Sequence, residues 1–353
     1  MKVCYFGIYD ASYNRNKVLI KGLSLNGVEV VECSSKVKGF NKYIDLWKKH
    51  RTLKGNYEVM VVGYPGFQAM ILARLITRKP IVFDAFVSIY DSMVMDRGLI
   101  KKGSLRALYF WCLDKISLTL ADFILFDTNE HIKYVSKEFG IKESKFKRIL
   151  VGADTSLFYP REKKQNSYFK VLLYGHFIPL QGIEYVVRAA KILDEHADIV
   201  FDIIGDGQEK KNILNLASTL NIKNVDFVGN LSIEQLAERV GQADVCLGIF
   251  GKTDKTKRVI PNKVYECVSA SKPVITADTP AIREVFNPGE IFTVKAYSPE
   301  AIADGILKVK ADIQNAEIVA KRGKDKLNRV SSIETLGLEL KKVIESVSNK
   351  HEL

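Results

Sequence analysis

The sequence lacks the features that mark membrane-spanning and metal-binding proteins. No apolar run approaches the ~18 residues that a membrane-spanning helix requires. The apolar run Val3–Ile8 is too short for a signal peptide, and no small-residue cleavage site follows it. The five cysteines are scattered and never spaced as Cys-x-x-Cys, a pattern that indicates free thiols in a reducing compartment and no zinc site. We therefore predict a cytoplasmic protein without a bound metal or other cofactor.

The length and charge of the chain are more informative. At ~150 residues per domain, the 353 residues predict two domains, and a content of 47% hydrophobic and 27% charged residues is typical of a globular protein. The net charge of +12 is uneven, because residues 1–160 contain 25 Lys and Arg against 15 Asp and Glu, whereas residues 161–353 contain 28 against 26. The excess indicates an acidic partner for the first part: nucleic acid, an anionic membrane or a phosphorylated substrate.

The sequence alternates between apolar, strand-like runs and segments with helical periodicity. The runs lie at residues 2–8, 28–32, 57–63, 80–84, 121–126 and 147–151, and then at 170–174, 199–204, 225–228, 244–249, 273–277 and 291–294. Such strands are typical of parallel sheets covered on both faces. We predict an α/β protein with two doubly wound Rossmann-like domains, residues 1–160 and 161–330, joined by the polar linker Pro160–Ser167. Residues 331–353 are predicted to form a terminal helix that can pack back toward the first domain.

One stretch of the second half combines a basic loop with a helix start. The loop Gly251–Arg258 carries four basic residues, and Pro261 suits the first position of the next helix. The amides of that first turn and the helix dipole favour an anion, and Asn262, Lys263 and Glu266 share one helix face. A phosphate beside Lys263 would leave the Glu266 carboxylate one turn deeper, where it could accept hydrogen bonds from a diol such as a ribose. A solvated loop before an ordinary helix is the alternative.

Glycines follow other strands of the second half. Glycine lets a backbone approach a ligand, and ligands bind beyond the carboxyl ends of parallel strands. The segment Gly175–Gly182 contains His176, which could hold a phosphate or a leaving group; a structural histidine is the alternative. Further candidates follow the next two strands: Gly205, Asp206, Gly229 and Asn230.

These segments together resemble glycosyltransferase family 4, a retaining family with the GT-B fold. Val151–Pro160 is similar to the segment that joins that family's two domains, Gly175–Gly182 to its phosphate loop, and Asp244–Ser271 to its donor-site helix. The resemblance implies two Rossmann-like domains that face an interdomain cleft. It also implies a hexosyltransferase that moves a sugar from a nucleotide-diphosphate donor, predicted as a UDP-sugar, with retention of anomeric configuration.

The sequence departs from this family at three positions. Family members carry two glutamates separated by seven residues; Glu266 matches the second, which contacts the donor ribose, whereas Arg258 replaces the first. His176 and Gln181 stand where the phosphate loop usually carries Arg and Lys. We predict that Arg258 and Lys263 meet the diphosphate charge, or alternatively that Arg258 pairs with an anionic sugar. The predicted donor-binding residues are Gly7, Gly175, Gln181, Gly182, Gly205, Asp206, Gly229, Asn230, Pro261, Asn262, Lys263 and Glu266.

The expected reaction needs no metal, because the Asp-x-Asp motif that the other glycosyltransferase fold uses to hold a divalent ion is absent. Fixed cations and helix amides would stabilise the leaving nucleoside diphosphate. The resemblance implies front-face substitution, in which the leaving phosphate takes the acceptor's proton. The predicted catalytic residues are His176, Asp84 and Arg258. The first domain is expected to bind the acceptor through Asp10, Arg15, Tyr90 and Asp91, although strand-end aspartates are often helix caps or turn formers.

Two basic amphipathic segments of the first domain suggest a membrane partner. Phe40–Arg51 and Arg97–Trp111 combine apolar residues at helical spacing with Lys and Arg, as in helices that lie in an anionic membrane interface. Packing on the domain's own sheet is the alternative. We predict a peripheral protein on the inner face of the cytoplasmic membrane, acting on a lipid-linked or saccharide acceptor in surface-polysaccharide or glycolipid assembly.

Three other functions are compatible with parts of the sequence. A catalytically degenerate partner subunit would explain the missing glutamate and lysine, although Glu266 and the Pro261–Lys263 turn argue against it. A nucleotide-sugar epimerase would share the fold but would need acid and base residues where the site carries mainly bases. Nucleic-acid binding would suit the net charge of +12, but no recognition motif supports it, so no nucleic-acid partner is predicted.

Overall fold

The structure is a computed structural model that describes residues 1–53, 55–163 and 167–351. The chain divides into two compact units: Met1–Gly152 together with the C-terminal segment from Ser331, and Ala153–Val330. The predicted domain limit at residue 160 lies eight residues beyond the end of the first segment at Gly152. Residues 164–166 of the predicted linker and residues 352–353 of the predicted terminal helix lie outside the described residues.

The first unit is built on a parallel sheet with the strand order β2-β1-β3-β4-β5-β6. Its strands are β1 (Lys2–Gly7), β2 (Glu29–Ser34), β3 (Val59–Val62), β4 (Ile81–Phe86), β5 (Phe123–Phe126) and β6 (Phe146–Arg148). Its helices are α1 (Asn14–Leu25), α2 (Asn41–Thr52), α3 (Phe67–Ile76), α4 (Leu105–Leu120), α5 (Asn129–Phe139) and the last helix of the chain, α13 (Ile333–His351). A π-helix spans Asp91–Asp96, and a 3-10 helix spans Glu143–Lys145.

The second unit contains a second parallel sheet, with the order β12-β11-β10-β7-β8-β9. Its strands are β7 (Phe169–Tyr174), β8 (Ile199–Ile204), β9 (Val225–Val228), β10 (Val245–Leu247), β11 (Val274–Ala277) and β12 (Phe292–Val294). Its helices are α6 (Ile183–Ile192), α7 (Lys210–Thr219), α8 (Ile233–Gln242), α9 (Asn262–Ser269), α10 (Pro280–Arg283), α11 (Pro299–Ala311) and α12 (Ile313–Val330). Two 3-10 turns span Pro179–Gln181 and Asp254–Lys257.

The two sheets confirm the predicted α/β architecture with two doubly wound Rossmann-like units. Central strands such as β3 and β5 are buried at every position, because helices cover both faces of a parallel sheet. That burial explains why these strands are apolar throughout. It also explains why they could be recognised although apolar and polar residues do not alternate along them. Among the described residues, no helix is long and apolar enough to cross a membrane.

Helix α13 returns to the first unit and packs on α1. Gly22 and Gly337 form the closest part of this helix crossing: a Cβ built on Gly337 would lie 2.1 Å from the backbone of Gly22. Asn26 adds a hydrogen bond from its Nδ2 to the Glu334 carbonyl at 2.9 Å. The apolar residues that make α13 amphipathic, such as Leu336 and Leu340, are fully buried.

Candidate functional site

The carboxyl ends of β7, β8 and β9 surround a pocket of about 260 Å³. It is lined by Tyr174, Gly175, His176, Ile204, Gly205, Asn230, Leu231 and Leu236. The structure therefore brings together four residues that the sequence had singled out: Gly175, His176, Gly205 and Asn230. His176 and Asn230 are exposed, so both side chains are accessible to a ligand. The position agrees with the rule that parallel sheets bind ligands at this edge.

The backbones after β7 and β8 approach each other so closely that a side chain would not fit. Gly205 has a φ of +136°, and a Cβ there would lie 2.1 Å from the carbonyl oxygen of Gly175. Glycine is therefore required by both conformation and space. The consequence is a pocket floor formed by main chain, to which a flat ring can come close.

Lys263, in the first turn of α9, places a buried amino group beside this pocket. Its side chain is only 4% exposed, and its Nζ has no hydrogen-bond partner among the described residues. A Cβ built on Gly175 would lie 3.6 Å from this nitrogen and 3.4 Å from Nε2 of Gln181, so both side chains converge on the loop after β7. Burial lowers the pKa of Lys263 to about 7. Because an unpaired buried ammonium is unfavourable, an anionic ligand at this position would stabilise it.

Glu266 lies one turn further along α9, and its side chain is also buried. Its Oε2 accepts a hydrogen bond from the Tyr174 hydroxyl at 2.6 Å. Burial raises the pKa of Glu266 to about 7, although the Tyr174 hydrogen bond and the charge of Lys263 act in the opposite direction. Within the described chain no hydrogen bond to Oε1 is present. One carboxylate oxygen is thus fixed and the other can accept from a ligand hydroxyl.

The start of α9 differs slightly from the prediction. Pro261 is the N-cap residue, with a φ of −71° and a ψ of 154°, and Asn262 is the first helical residue. No side chain caps this end of the helix. The first-turn amides of the helix therefore remain without a side-chain acceptor, next to Lys263, and can bind an anion.

The other predicted donor residues of the second unit lie in the loops around this edge. Arg258 is half-buried and follows the 3-10 turn Asp254–Lys257, and its backbone N–H donates to the Lys255 carbonyl at 2.9 Å. Gly182 adopts a φ of +64° where a Cβ would lie 2.5 Å from the Phe250 backbone. Asp206 and Gly229 are exposed. The Asp206 carboxylate accepts a hydrogen bond from Lys210 at 3.0 Å, which lowers its pKa.

In the first unit, Asp84 and Arg15 form a buried ion pair. Arg15 Nη2 lies 2.8 Å from Asp84 Oδ1, and both side chains are 0% exposed. The guanidinium also donates to the carbonyls of Ile149 and Leu150 at 2.7 and 2.8 Å. The pair therefore joins α1, β4 and the segment after β6. This arrangement departs from the predicted roles of Asp84 in catalysis and Arg15 in acceptor binding, because neither side chain is accessible.

Tyr90 and Asp91 are buried at the start of the π-helix that follows β4. Asp114 of α4 holds this segment, since its carboxylate accepts from the Ser88 hydroxyl at 2.5 Å and from the Tyr90 backbone N–H at 2.9 Å. Burial raises the pKa of Asp114 to about 7. Phe86, at the end of β4, has a φ of 58°. Left-handed non-glycine residues and π-helices both concentrate at functional sites. The segment after β4 therefore still indicates a function, although the side chains predicted to bind the acceptor are buried.

Gly7 is the last residue of β1, and Asp10 lies in the turn that follows it. Asp10 is exposed, and its Oδ1 accepts hydrogen bonds from the Ser12 backbone and hydroxyl at 2.8 and 2.6 Å, which lowers its pKa. The carboxylate thus stabilises the turn that leads into α1. Gly7 belongs to the first unit, whereas all other predicted donor residues belong to the second.

Sequence reasoning missed two contributors to the site. Tyr174, the last residue of β7, fixes Glu266, and Cys267 Sγ donates to the Tyr174 hydroxyl at 3.7 Å. The only signal was a tyrosine at the end of an aliphatic strand. In the part of the chain that the structure describes, no group of three or more His, Cys, Asp or Glu side chains is placed to hold a metal ion.

The two parallel-sheet units agree with a GT-B fold, and solved structures of that class are similar over almost the whole chain. The Anabaena protein HepE, solved in complex with UDP and glucose, is 13% identical, with a TM-score of 0.74 and coverage of 98% of this chain and 100% of that one. Sucrose-phosphate synthase from Thermosynechococcus elongatus is 15% identical, with a TM-score of 0.76 and coverage of 98% and 99%. The predicted fold is confirmed.

Residues 157–326 match the family described as Glycosyl transferases group 1. An uncharacterized glycosyltransferase of Methanocaldococcus jannaschii is 23% identical over 256 residues, which cover 71% of this chain and 66% of that protein. The match thus leaves about a third of that relative uncovered. The predicted resemblance to glycosyltransferases is confirmed over residues 157–326, and these matches support the predicted enzyme class, the hexosyltransferases. The narrower assignment to family 4 stays a prediction.

Proposed function

We propose that the protein transfers a sugar from a UDP-sugar to a lipid-linked or saccharide acceptor, with retention of anomeric configuration and without a metal ion. The observation that carries the proposal is the amino group of Lys263, which is buried and without a hydrogen-bond partner among the described residues, beside the loop after β7. A nucleoside diphosphate supplies the anion that such a group needs. The HepE structures contain UDP or UDP-glucose, which supports uracil as the base and a hexose as the transferred sugar.

The contacts of the described residues suggest a place for each part of the donor. The diphosphate would accept hydrogen bonds from Lys263 and from the first amides of α9. The ribose diol would donate to Glu266 Oε1, one turn deeper, while Tyr174 holds Oε2 at 2.6 Å. The base would enter the pocket floored by Gly175 and Gly205.

The proposed step breaks the bond between the anomeric carbon and the diphosphate oxygen while the acceptor oxygen attacks from the same face. The acceptor proton passes to the leaving phosphate, and the products are the glycoside and the nucleoside diphosphate. Lys263, the α9 amides and His176 would stabilise the charge that develops on the leaving group. Arg258 would stabilise the same charge or, alternatively, pair with an anionic group of the donor sugar.

An anionic membrane surface is the proposed partner of the first unit, and assembly of surface polysaccharide or glycolipid at the inner face of the cytoplasmic membrane is the proposed setting. Two helices expose apolar side chains among basic ones. On α2 and its N-cap these are Phe40, Ile44 and Trp47, and on α4 they are Leu105, Leu108 and Tyr109. Phe40 and Leu105 are 76% and 85% exposed, so they are not part of the core. Basic neighbours such as Lys42 and Arg106 match the charge of anionic lipids.

The proposal is tested by a thermal-shift panel of nucleoside diphosphates and nucleotide sugars, with and without EDTA. UDP and one UDP-sugar should stabilise the wild type, and EDTA should not change the shift. Glu266→Ala and Lys263→Met should reduce the shift. Lys272→Met is the matched control, since Lys272 is also a buried lysine but precedes β11 at the opposite edge of the sheet. A folded wild type that no nucleotide stabilises would contradict the proposal and favour a degenerate partner subunit.

A further inference from the structure

The second unit has another cavity at the edge of its sheet where the carboxyl ends of the strands lie, separate from the proposed donor pocket. It has a volume of about 420 Å³ and is formed by the loop after β10 and the ends of β11 and β12. In the sheet order, β12, β11 and β10 lie on one side of β7, and β8 and β9 lie on the other. This cavity and the donor pocket therefore occupy opposite ends of the same edge. None of its lining residues belongs to the predicted donor site.

The cavity is basic. Lys252, Lys257 and Lys295 line it, and all three side chains are exposed. Lys257 pairs with Asp254 at 2.8 Å, whereas no salt bridge to Lys252 or Lys295 is found in the described ranges. The carboxylate of Asp278, which also lines the cavity, is bound on both oxygens by Arg283, at 2.7 and 2.5 Å. The Asp278 carboxylate is thus already neutralised, and Lys252 and Lys295 remain without a salt bridge among the described residues, although the charge of Lys295 adds to the hydrogen bonds that lower the pKa of the nearby Glu300 carboxyl.

An exposed aromatic ring and several hydroxyls complete the wall. Tyr297 lines the cavity and is 47% exposed, although its backbone N–H is fixed to the Phe250 carbonyl at 3.0 Å. Its φ of 45° lies in the left-handed region, which is unfavourable for a tyrosine and points to a functional constraint. Thr253, Thr256, Thr279 and Thr293 also line the cavity. An aromatic face with hydroxyls suits a sugar ring, and lysines suit a carboxylate, phosphate or sulfate.

We propose that this cavity binds an acidic saccharide unit: the sugar ring packs on Tyr297 and its anionic group pairs with Lys252 and Lys295. The inference rests on the proposed function, because it assigns a negative charge to a saccharide that the enzyme handles. The unit can come from the acceptor glycan or from the donor sugar. Both sources present the same chemistry to the cavity.

The test compares wild type with the double variant Lys252→Gln/Lys295→Gln in isothermal titrations. Trigalacturonate serves as an acidic acceptor probe and maltotriose as its neutral counterpart; UDP-glucuronate and UDP-glucose form the donor pair. The control is Lys211→Gln/Lys308→Gln, which removes two exposed lysines of α7 and α11 from the same unit. UDP alone is titrated into each protein, so that failure of the donor site is recognised separately.

We expect trigalacturonate to bind the wild type more tightly than maltotriose and to lose about tenfold in affinity in Lys252→Gln/Lys295→Gln, with UDP affinity unchanged. If the donor is the acidic partner, the same variant instead loses a preference for UDP-glucuronate over UDP-glucose. Tyr297→Ala should also weaken the binding of trigalacturonate, because it removes the ring on which the sugar packs. Equal behaviour of the lysine variant and the control toward both acidic ligands would overturn the inference, even if UDP binds normally.

Discussion

Lys263 and Glu266 lie one turn apart on α9, and burial brings the pKa values of both side chains to about 7 from opposite directions. Near neutral pH both side chains can therefore be neutral in the free protein, which avoids the unfavourable free energy of burying a charge. A bound diphosphate would favour the charged form of Lys263. Donor binding should thus be accompanied by transfer of protons.

The first prediction concerns this transfer. At pH 8 to 9 the free Lys263 side chain is mostly neutral, so UDP binding should take up close to one proton. UDP affinity should fall as the pH rises above 7, by up to about tenfold per pH unit. Calorimetry in two buffers of different ionisation enthalpy measures the uptake. Lys263→Met should abolish it, and Lys272→Met should retain it. Unchanged uptake in Lys263→Met would show that another group receives the proton.

The second prediction concerns the ribose. If Glu266 accepts from the diol, wild type should bind UDP more tightly than 2′-deoxy-UDP by about tenfold or more, because a hydrogen bond to a charged group contributes about 1.5–3 kcal/mol. Glu266→Gln should reduce the difference in affinity between UDP and 2′-deoxy-UDP, which competition titrations measure. Tyr174→Phe is the control, since it removes the neighbour of Oε2 and leaves the carboxylate. Loss of the Tyr174 hydrogen bond raises the pKa of Glu266 further. The wild type and both variants are therefore compared at about pH 8.5, so that Glu266 is ionised where it is present. Equal discrimination in wild type and Glu266→Gln would refute the contact.

The fold was predictable because its signals are local. β8 and β9 occupy the predicted residues 199–204 and 225–228, since buried parallel strands are continuous apolar runs bounded by turns. The close approach of Gly175 and Gly205 was also predictable from local sequence, because both glycines directly follow such strands. Helix α9 placed Lys263 and Glu266 on one face, which follows from helical spacing alone.

The remaining features depend on contacts between distant parts of the sequence. Tyr174 and Glu266 are 92 residues apart, and Arg15 and Asp84 are 69 residues apart. From the sequence, Asp84 therefore looked available for catalysis, and Tyr174 was not recognised as the partner of Glu266. Only the packed structure shows that Asp84 is neutralised by Arg15 inside the unit, whereas Lys263 keeps a nitrogen without a partner among the described residues. Burial and pairing, which decide whether a charge is available, are properties of the fold.

The third prediction concerns the exposed faces of α2 and α4. Phe40→Ser/Leu105→Ser should reduce binding to vesicles of anionic phospholipid by at least tenfold, because burying each side chain in the lipid interface contributes about 1.5–3 kcal/mol. Co-sedimentation measures the effect, and the folded state is checked by its melting temperature. The control is Leu25→Ser/Ile318→Ser, which changes two other exposed apolar residues, in α1 and α12. Equal loss in both double variants, or no vesicle binding by wild type, would speak against a membrane surface here.

The fourth prediction concerns the crossing of α1 and α13. In an exposed helix, Gly→Ala stabilises by about 0.5–1 kcal/mol. At Gly337 the new methyl carbon would lie 2.1 Å from the Gly22 backbone, so the two helices would have to separate. We expect Gly337→Ala to lower the free energy of unfolding by about 1–3 kcal/mol, as overpacking usually does.

Urea unfolding followed by circular dichroism measures this change. Ser346→Ala provides the matched control, because Ser346 is an exposed residue of the same helix and its substitution adds no contact and removes only a hydrogen bond within the helix, from Ser346 Oγ to the Val343 carbonyl at 2.7 Å. That variant should be as stable as wild type or slightly more stable. Since helix propensity alone would make Gly337→Ala stabilising, the sign of its effect decides the question. A stabilised Gly337→Ala protein would mean that α13 does not pack on α1 at this distance in solution.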